Sequence, residues 1–173
     1  MLTESEETRR LHLGPAPGEE PGAVGLIEIN VEATDDVSGV MSRCKDVLLI
    51  VSQASESEFR SHETLAQLLP AWFVEGCAPE ESTSARAEWL AWWRGLDGEE
   101  RARVAEERAW GLEDWLYWMQ PEERQWLWWD LRSVGETQAT LLLEVKAWPI
   151  AMGALMWLLR LAGATDATVA RTQ

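Results

Sequence analysis

The sequence has few of the side chains from which most catalytic and metal-binding sites are built. It contains only two histidines and two cysteines in 173 residues, namely His12, Cys44, His62 and Cys77. No two of these four lie at the spacing of zinc ligands. The G-x-S-x-G, G-x-x-x-x-G-K-[ST] and G-x-G-x-x-G motifs do not occur in the chain. We therefore predict no catalytic residue, no metal site and no cofactor, and the interpretation leans towards a protein that is not an enzyme.

The low numbers of cysteine, glycine and proline and the lack of long apolar runs exclude other classes of protein. Two cysteines cannot form a disulfide scaffold, and twelve glycines with seven prolines are too few for a fibrous chain. The first ten residues, MLTESEETRR, are polar and cannot act as the hydrophobic part of a secretion signal. The longest apolar run, 150–159, has ten residues, whereas a membrane-spanning helix needs about 20. We expect a cytoplasmic protein that does not contact a membrane.

Basic residues are also in deficit. Thirty acidic residues stand against fifteen basic ones, which gives a formal net charge of −15. Such a chain repels phosphate backbones, so a nucleic-acid partner is not expected. The same charge would attract a basic protein partner, although it could serve solubility alone.

The acidic residues include four adjacent pairs. These pairs are Asp35-Asp36, Glu99-Glu100, Glu113-Asp114 and Glu122-Glu123. Each lies in or just before the first turn of a predicted helix, where a carboxylate stabilises the positive end of the helix dipole. We interpret all four as helix-starting pairs and not as catalytic carboxylates.

Two segments alternate between apolar and polar residues in the manner of half-buried strands. They lie near 24–33 and 138–148. A third segment, 150–162, is apolar almost all round and predicts a buried C-terminal helix that ends at Gly163. Together these patterns predict a mostly helical α+β fold. In it, a small β-sheet packs on the C-terminal helix, and a Trp-rich helical insertion lies between the two strands.

Two further helices are predicted from spacing and from proline. Apolar residues recur at helical intervals over 37–51, although the β-branched run at 46–52 is also compatible with a strand. The helix is the favoured interpretation there, and the strand stays open. Pro121 suits the first turn of a helix, which we predict to continue to Ser133.

Composition also suggests how the chain is divided. Residues 1–22 are acidic, contain three prolines and have little apolar content, which predicts a flexible N-terminal tail. Residues 23–165 are predicted to form a single α+β domain, and 166–173 a C-terminal tail.

Tryptophan is the one residue in large excess, with twelve in the chain. The segment 126–129 reads Trp-Leu-Trp-Trp, and in a helix four consecutive side chains point in all directions. One core face cannot take all of them. Either this helix is buried on two sides, or Trp126 and Trp129 form an exposed aromatic patch of the kind that binds partners.

These observations predict a protein-interaction module, an acidic binder of the immunity or antitoxin kind. The predicted binding residues are Trp118, Trp126, Trp129 and Arg124, and the predicted partner is a protein, which the net charge suggests is basic. A homo-oligomer that covers the second Trp face is an alternative assembly.

The alternative function is a small-molecule binding protein or enzyme with a Trp-lined pocket between the central helices and the sheet. Arg124 or Arg160 could anchor an acidic ligand in that pocket, because a charged residue among apolar neighbours needs a partner. A salt bridge from Arg160 to Glu144 would be a purely structural role for the same residue.

Overall fold

A computed structural model describes residues 5–172, apart from the side chains of residues 102, 105, 106, 171 and 172. Within this range the chain forms nine helices and four strands. The helices are α1 (Glu6–Leu13), α2 (Val37–Gln53), α3 (Glu56–Arg60), α4 (His62–Leu68), α5 (Ala71–Gly76), α6 (Thr83–Arg94), α7 (Gly98–Glu107), α8 (Leu112–Met119) and α9 (Gly153–Ala162). The strands are β1 (Leu26–Glu32), β2 (Trp126–Ser133), β3 (Gln138–Val145) and β4 (Asp166–Thr172). The predicted α+β class is confirmed.

The four strands form one antiparallel sheet in the order β2-β3-β1-β4. The two strands predicted from alternation are β1 and β3, which pair with each other at the centre of the sheet. In the register between them, Ile29 lies opposite Leu141. The side chains of Ile29 and Leu141 are fully buried, as the apolar face of each strand requires.

The helices α2 and α9 supply much of the hydrophobic core. Over 46–52 the chain is helical, as favoured, and Val47, Leu48 and Val51 are buried there at the spacing of one helix face. The predicted C-terminal helix is confirmed as α9. It ends at Gly163, whose φ of 112° lies in the left-handed region that favours glycine.

Three of the four acidic pairs lie at helix starts, as interpreted. Asp36 is the N-cap of α2, and the other two pairs occupy the first turns of α7 and α8. The interpretation is wrong for Glu122-Glu123. These two residues lie in a turn that leads into β2, so no helix follows them.

The helix predicted from Pro121 to Ser133 is wrong, because 126–133 is the strand β2. Trp126 and Trp128 point into the core opposite Val145 and Leu143 of β3. The register then shifts between Trp128 and Asp130, where a β-bulge places one extra residue. Aromatic residues favour strands when a neighbouring strand pairs with them, and β3 follows β2 after four residues, so the two strands form a hairpin.

The two segments predicted as tails also carry secondary structure. Residues 6–13 form α1, where the prediction was a flexible tail over 1–22; residues 1–4 lie outside the described range. Ser5 caps α1, and Glu7, Thr8, Arg10 and Leu11 of the helix are buried. At the other end, 166–172 is β4, which pairs with β1, and residue 173 lies outside the described range. Most of the buried side chains of α1 are polar, so a search for apolar periodicity could not detect this helix.

Candidate functional site

The structure does not bring the four predicted binding residues together on the surface. Trp126 is 1% exposed, Trp129 6% and Arg124 5%, whereas Trp118 is 38% exposed. An exposed aromatic patch built from Trp118, Trp126 and Trp129 is therefore not formed. The expectation is corrected because β2 turns Trp126 into the core and the N-terminal residues cover Trp129.

Arg124 is not exposed to solvent but forms a buried ion pair with Glu7. Its Nη1 and Nη2 atoms donate to the Glu7 carboxylate at 3.0 and 2.6 Å. The same carboxylate accepts the backbone N–H of Trp128 at 2.8 Å. Since β2 is an edge strand, Glu7 satisfies a donor that would otherwise be open to pairing with another chain. Arg124 thus attaches α1 to the edge of the sheet.

Trp129 is covered through a second group of charges. The Arg10 guanidinium lies 4.3 Å from the centre of the Trp129 ring. Arg10 also pairs with Glu19 at 2.7 Å and with Glu144 at 2.6 Å. Glu144 additionally accepts the backbone N–H of Gly22 at 2.7 Å. This arrangement holds the N-terminal residues against β2 and β3.

Two exposed tryptophans that are not among the predicted binding residues lie elsewhere on the surface. Trp92 of α6 and Trp148 after β3 are 53% and 57% exposed. Tyr117 and Trp118 of α8 are also exposed, with their rings edge-to-face and 5.4 Å between centroids. These residues belong to three separate parts of the chain.

A cavity of about 860 Å³ lies between α9 and the start of β4. One wall is a stripe of α9 formed by Gly153, Met156, Trp157 and Arg160, which the helix spacing places on one face. The other walls are residues 164–168 together with two residues that precede α8. These two residues are Arg108 and Trp110.

The cavity walls fit closely because Gly153 has no side chain. A Cβ atom at Gly153 would lie only 2.7 Å from Cζ2 of Trp110. The backbone carbonyl of Trp110 accepts the N–H of Ala78 at 2.8 Å, and the indole N–H of Trp115 donates to the carbonyl of Ala154 at 2.9 Å. The segment 110–115 is therefore attached to the first turn of α9.

The charge of the cavity lining differs from that of the whole chain. Arg108 and Arg160 line the cavity, and Asp166 is the one carboxylate among its described lining residues, whereas acids outnumber bases by two to one in the sequence. Arg108 pairs with Glu81 at 3.1 Å and lies 3.7 Å from the centre of the Trp89 ring. The Arg160 guanidinium lies 5.9 Å from the centre of the Trp157 ring.

Neither cysteine has the properties of a nucleophile. Burial raises the pKa of Cys44 to about 12 and also raises the pKa of the half-buried Cys77. His62 pairs with Glu113, with 3.3 Å between Nδ1 and Oε1. Across residues 5–172, we find no cluster of three side chains of the types that ligate metals. No helix in the described part of the chain is long and apolar enough to cross a bilayer.

The sequence offers Arg124 or Arg160 as the anchor for an acidic ligand. Arg160 was singled out as a charged residue in an apolar helix, and it lines the cavity; Arg124 does not. The contributions of Arg108 and Trp110 were missed because they come from a distant part of the chain. Gly153 in an apolar helix was the available signal, since such a glycine often marks a close approach by another segment.

Comparison with family models, with curated proteins and with solved structures finds no match to this chain.

Proposed function

We propose that this protein binds a small molecule in the cavity beside α9. The observation that carries the proposal is the cavity itself, with its volume of about 860 Å³ and its lining of Met156, two tryptophans and two arginines. Ligand sites in proteins have volumes of roughly 300–1,000 Å³, with aromatic and apolar walls and a few polar groups that orient the ligand.

The walls of the cavity are fixed to α9, which favours binding of a ligand without rearrangement of the protein. Trp110 rests on Gly153, and Trp115 is hydrogen-bonded to α9. A preformed site loses less conformational entropy when its ligand binds. The proposal is binding and not catalysis, because the lining residues in the described part of the chain include no histidine or cysteine and a single carboxylate, Asp166.

The test is a variant that fills the cavity. Ala167 lines the cavity and is half-buried, so Ala167→Phe places a ring in the space that a ligand would occupy. Ala23→Phe is the matched control, since Ala23 is exposed and does not line the cavity. Circular dichroism establishes that each variant folds, and Ala164→Phe replaces Ala167→Phe if the latter does not.

The readouts are tryptophan fluorescence and thermal shift with a panel of small aromatic and aliphatic compounds. We expect at least one class of compound to bind to the wild type and to Ala23→Phe, and to be lost in the filled variant. If no compound binds, or if binding survives the filling of the cavity, the proposal is wrong.

A second candidate function is the predicted interaction with a protein, which we propose now for a different surface. The helix α6 carries Trp89, Trp92 and Trp93, yet none of its residues is fully buried. Arg108 and Arg101 of the next segment lie over the rings of Trp89 and Trp93.

Trp92 therefore remains the exposed aromatic residue of α6, and large exposed aromatic side chains are frequent in partner interfaces. The expected partner is basic, in view of the net charge of −15. Co-purification at low and at high salt tests this with Trp92→Ser, against Trp118→Ser as the control. Loss of a basic, salt-sensitive partner in Trp92→Ser alone supports the interaction. Equal behaviour of the two variants contradicts it.

A further inference from the structure

We infer that the ligand of the α9 cavity is a flat aromatic anion whose negative group is recognised by Arg108 and Arg160. This inference rests on the proposed function, because it names the ligand class of the same cavity. Two observations lead to it, namely the arrangement of the two indole rings and the sign of the charges in the lining.

The aromatic part of the inference follows from the geometry of α9. Gly153 and Trp157 are one turn apart on the same face, and the Trp110 ring lies against Gly153. The lining therefore presents two indole rings along the helix. From Gly153 to Arg160 the helix rises about 10 Å, which is the length of two or three fused or linked rings. Flat rings gain from stacking and edge contacts with indoles beyond the burial of their surface.

The anionic part follows from the charges. In a chain with twice as many acids as bases, the described residues of the lining include two arginines and one aspartate. A guanidinium group matches carboxylate, sulfonate and phosphate groups because its N–H donors form a planar fork. A cationic ligand would meet both guanidinium groups beside the one carboxylate in the described lining, Asp166, and an uncharged ligand would form no charge-assisted bond with them.

The surroundings of Arg108 show how it can take part. The face of its guanidinium group stacks on Trp89, and its Nη2 atom donates to Glu81. A guanidinium group has five N–H donors, so the ion pair with Glu81 leaves donors for a ligand. Glu81 is itself well exposed, and water there weakens its hold on Arg108.

The probe pair for the experiment is anilinonaphthalene sulfonate and its uncharged parent anilinonaphthalene. The two share the aromatic rings and differ in the sulfonate group. Both fluoresce more strongly in apolar sites and accept energy from excited tryptophan, so binding is visible directly, and Ala167→Phe shows whether it occurs in the cavity. Titrations use the full chain at one fixed ionic strength.

We expect the sulfonate to bind about tenfold or more tightly than the parent compound, as one charge-assisted hydrogen bond provides. Arg108→Gln and Arg160→Gln should each weaken sulfonate binding by about tenfold and should weaken binding of the parent compound much less. Arg132→Gln is the matched control, because Arg132 is exposed on β2 and does not line the cavity.

The outcomes separate this inference from the proposed function. If both probes bind equally, or if both arginine variants bind the sulfonate like the wild type, the anionic ligand class is overturned while the cavity remains a binding site. If neither probe binds, or if Ala167→Phe leaves the binding of both probes intact, the proposed function fails and the inference fails with it.

Discussion

Replacing Glu7 by Gln tests whether α1 is held on the sheet by a buried charge pair. Glu7 and Arg124 are only 4% and 5% exposed, and the Glu7 carboxylate accepts two hydrogen bonds from Arg124 and one from Trp128. Glutamine keeps the size of the side chain but removes the negative charge. Arg124 would then remain buried without a counter-ion.

The size of the effect follows from the cost of a buried unpaired charge. Removing one partner of a buried pair costs about 3–5 kcal/mol, a large part of the 5–15 kcal/mol by which a typical domain is stable. For a chain of this length, each kcal/mol lowers the melting temperature by about 2–4 °C. We therefore expect Glu7→Gln to lower it by roughly 6–20 °C.

The matched control is Glu56→Gln. Glu56 also pairs with an arginine, Arg60, but both side chains are about three-quarters exposed. A surface pair four residues apart on a helix contributes about 0.3–0.5 kcal/mol. The double variant Glu7→Leu with Arg124→Leu should cost less than Glu7→Gln, because no buried charge is left unpaired. It should still cost about 1–3 kcal/mol, because the Trp128 N–H loses its acceptor.

The assays are thermal unfolding, which gives the melting temperature, and urea unfolding. Both are followed by far-ultraviolet circular dichroism, and the slope of the urea transition is compared between variants. If Glu7→Gln costs no more than Glu56→Gln, the pair is not desolvated in solution and the described packing of α1 on β2 is refuted.

Three further predictions concern pH, backbone packing and thiol reactivity. The backbone N–H of Ala16, followed by the neighbouring arginines, lowers the pKa of Glu19 from 4.5 to about 2. The ionised Glu19 carboxylate therefore stabilises the folded protein fully above pH 4.5, and this contribution is lost as the pH falls towards 2. The free energy of unfolding measured across this range should depend less on pH in Glu19→Gln. Gly153→Ala should destabilise by about 1–3 kcal/mol because its Cβ meets Trp110, whereas Gly98→Ala, with no atom within 4 Å, should be neutral or stabilising in the same urea experiment. Cys44 should react with an aromatic disulfide reagent only after unfolding, since burial raises its pKa to about 12; labelling of the folded protein at this residue would contradict the packing of α2.

The elements that sequence patterns predicted correctly are those with one strict period over their whole length. Alternation marked β1 and β3, and helical spacing marked α2, including the ambiguous run at 46–52. The left-handed Gly163 ended α9 as expected. In each case the periodic residues face the core, so local pattern and final burial agree.

The strand β2 could not be predicted in the same way. The strand begins with four consecutive apolar residues, 126–129, so neither helical nor strand spacing is recognisable there. The bulge between Trp128 and Asp130 interrupts the alternation further. Pairing with β3, which follows after four residues, decided the conformation, and the spacing of residues within 126–133 does not include that partner.

The residues of the cavity beside α9 likewise divide into one that the local sequence indicated and others that it did not. Arg160 stood out in the sequence because it interrupts an apolar helix. The positions of Arg108 and Trp110 did not, since the cavity exists only where their segment meets Gly153. The expected aromatic patch was lost for a related reason: Trp129 is covered by a charged N-terminal segment whose composition suggested a flexible tail.

By itself, the sequence determined the fold class, the central strand pair and the two core helices, because each follows from the periodicity of residues close together in the chain. The tertiary structure alone decided which tryptophans are exposed, where the arginines lie and whether a cavity forms. Those properties depend on contacts between distant segments, and on α1 such contacts are made by buried ion pairs, which leave no periodic pattern in the sequence.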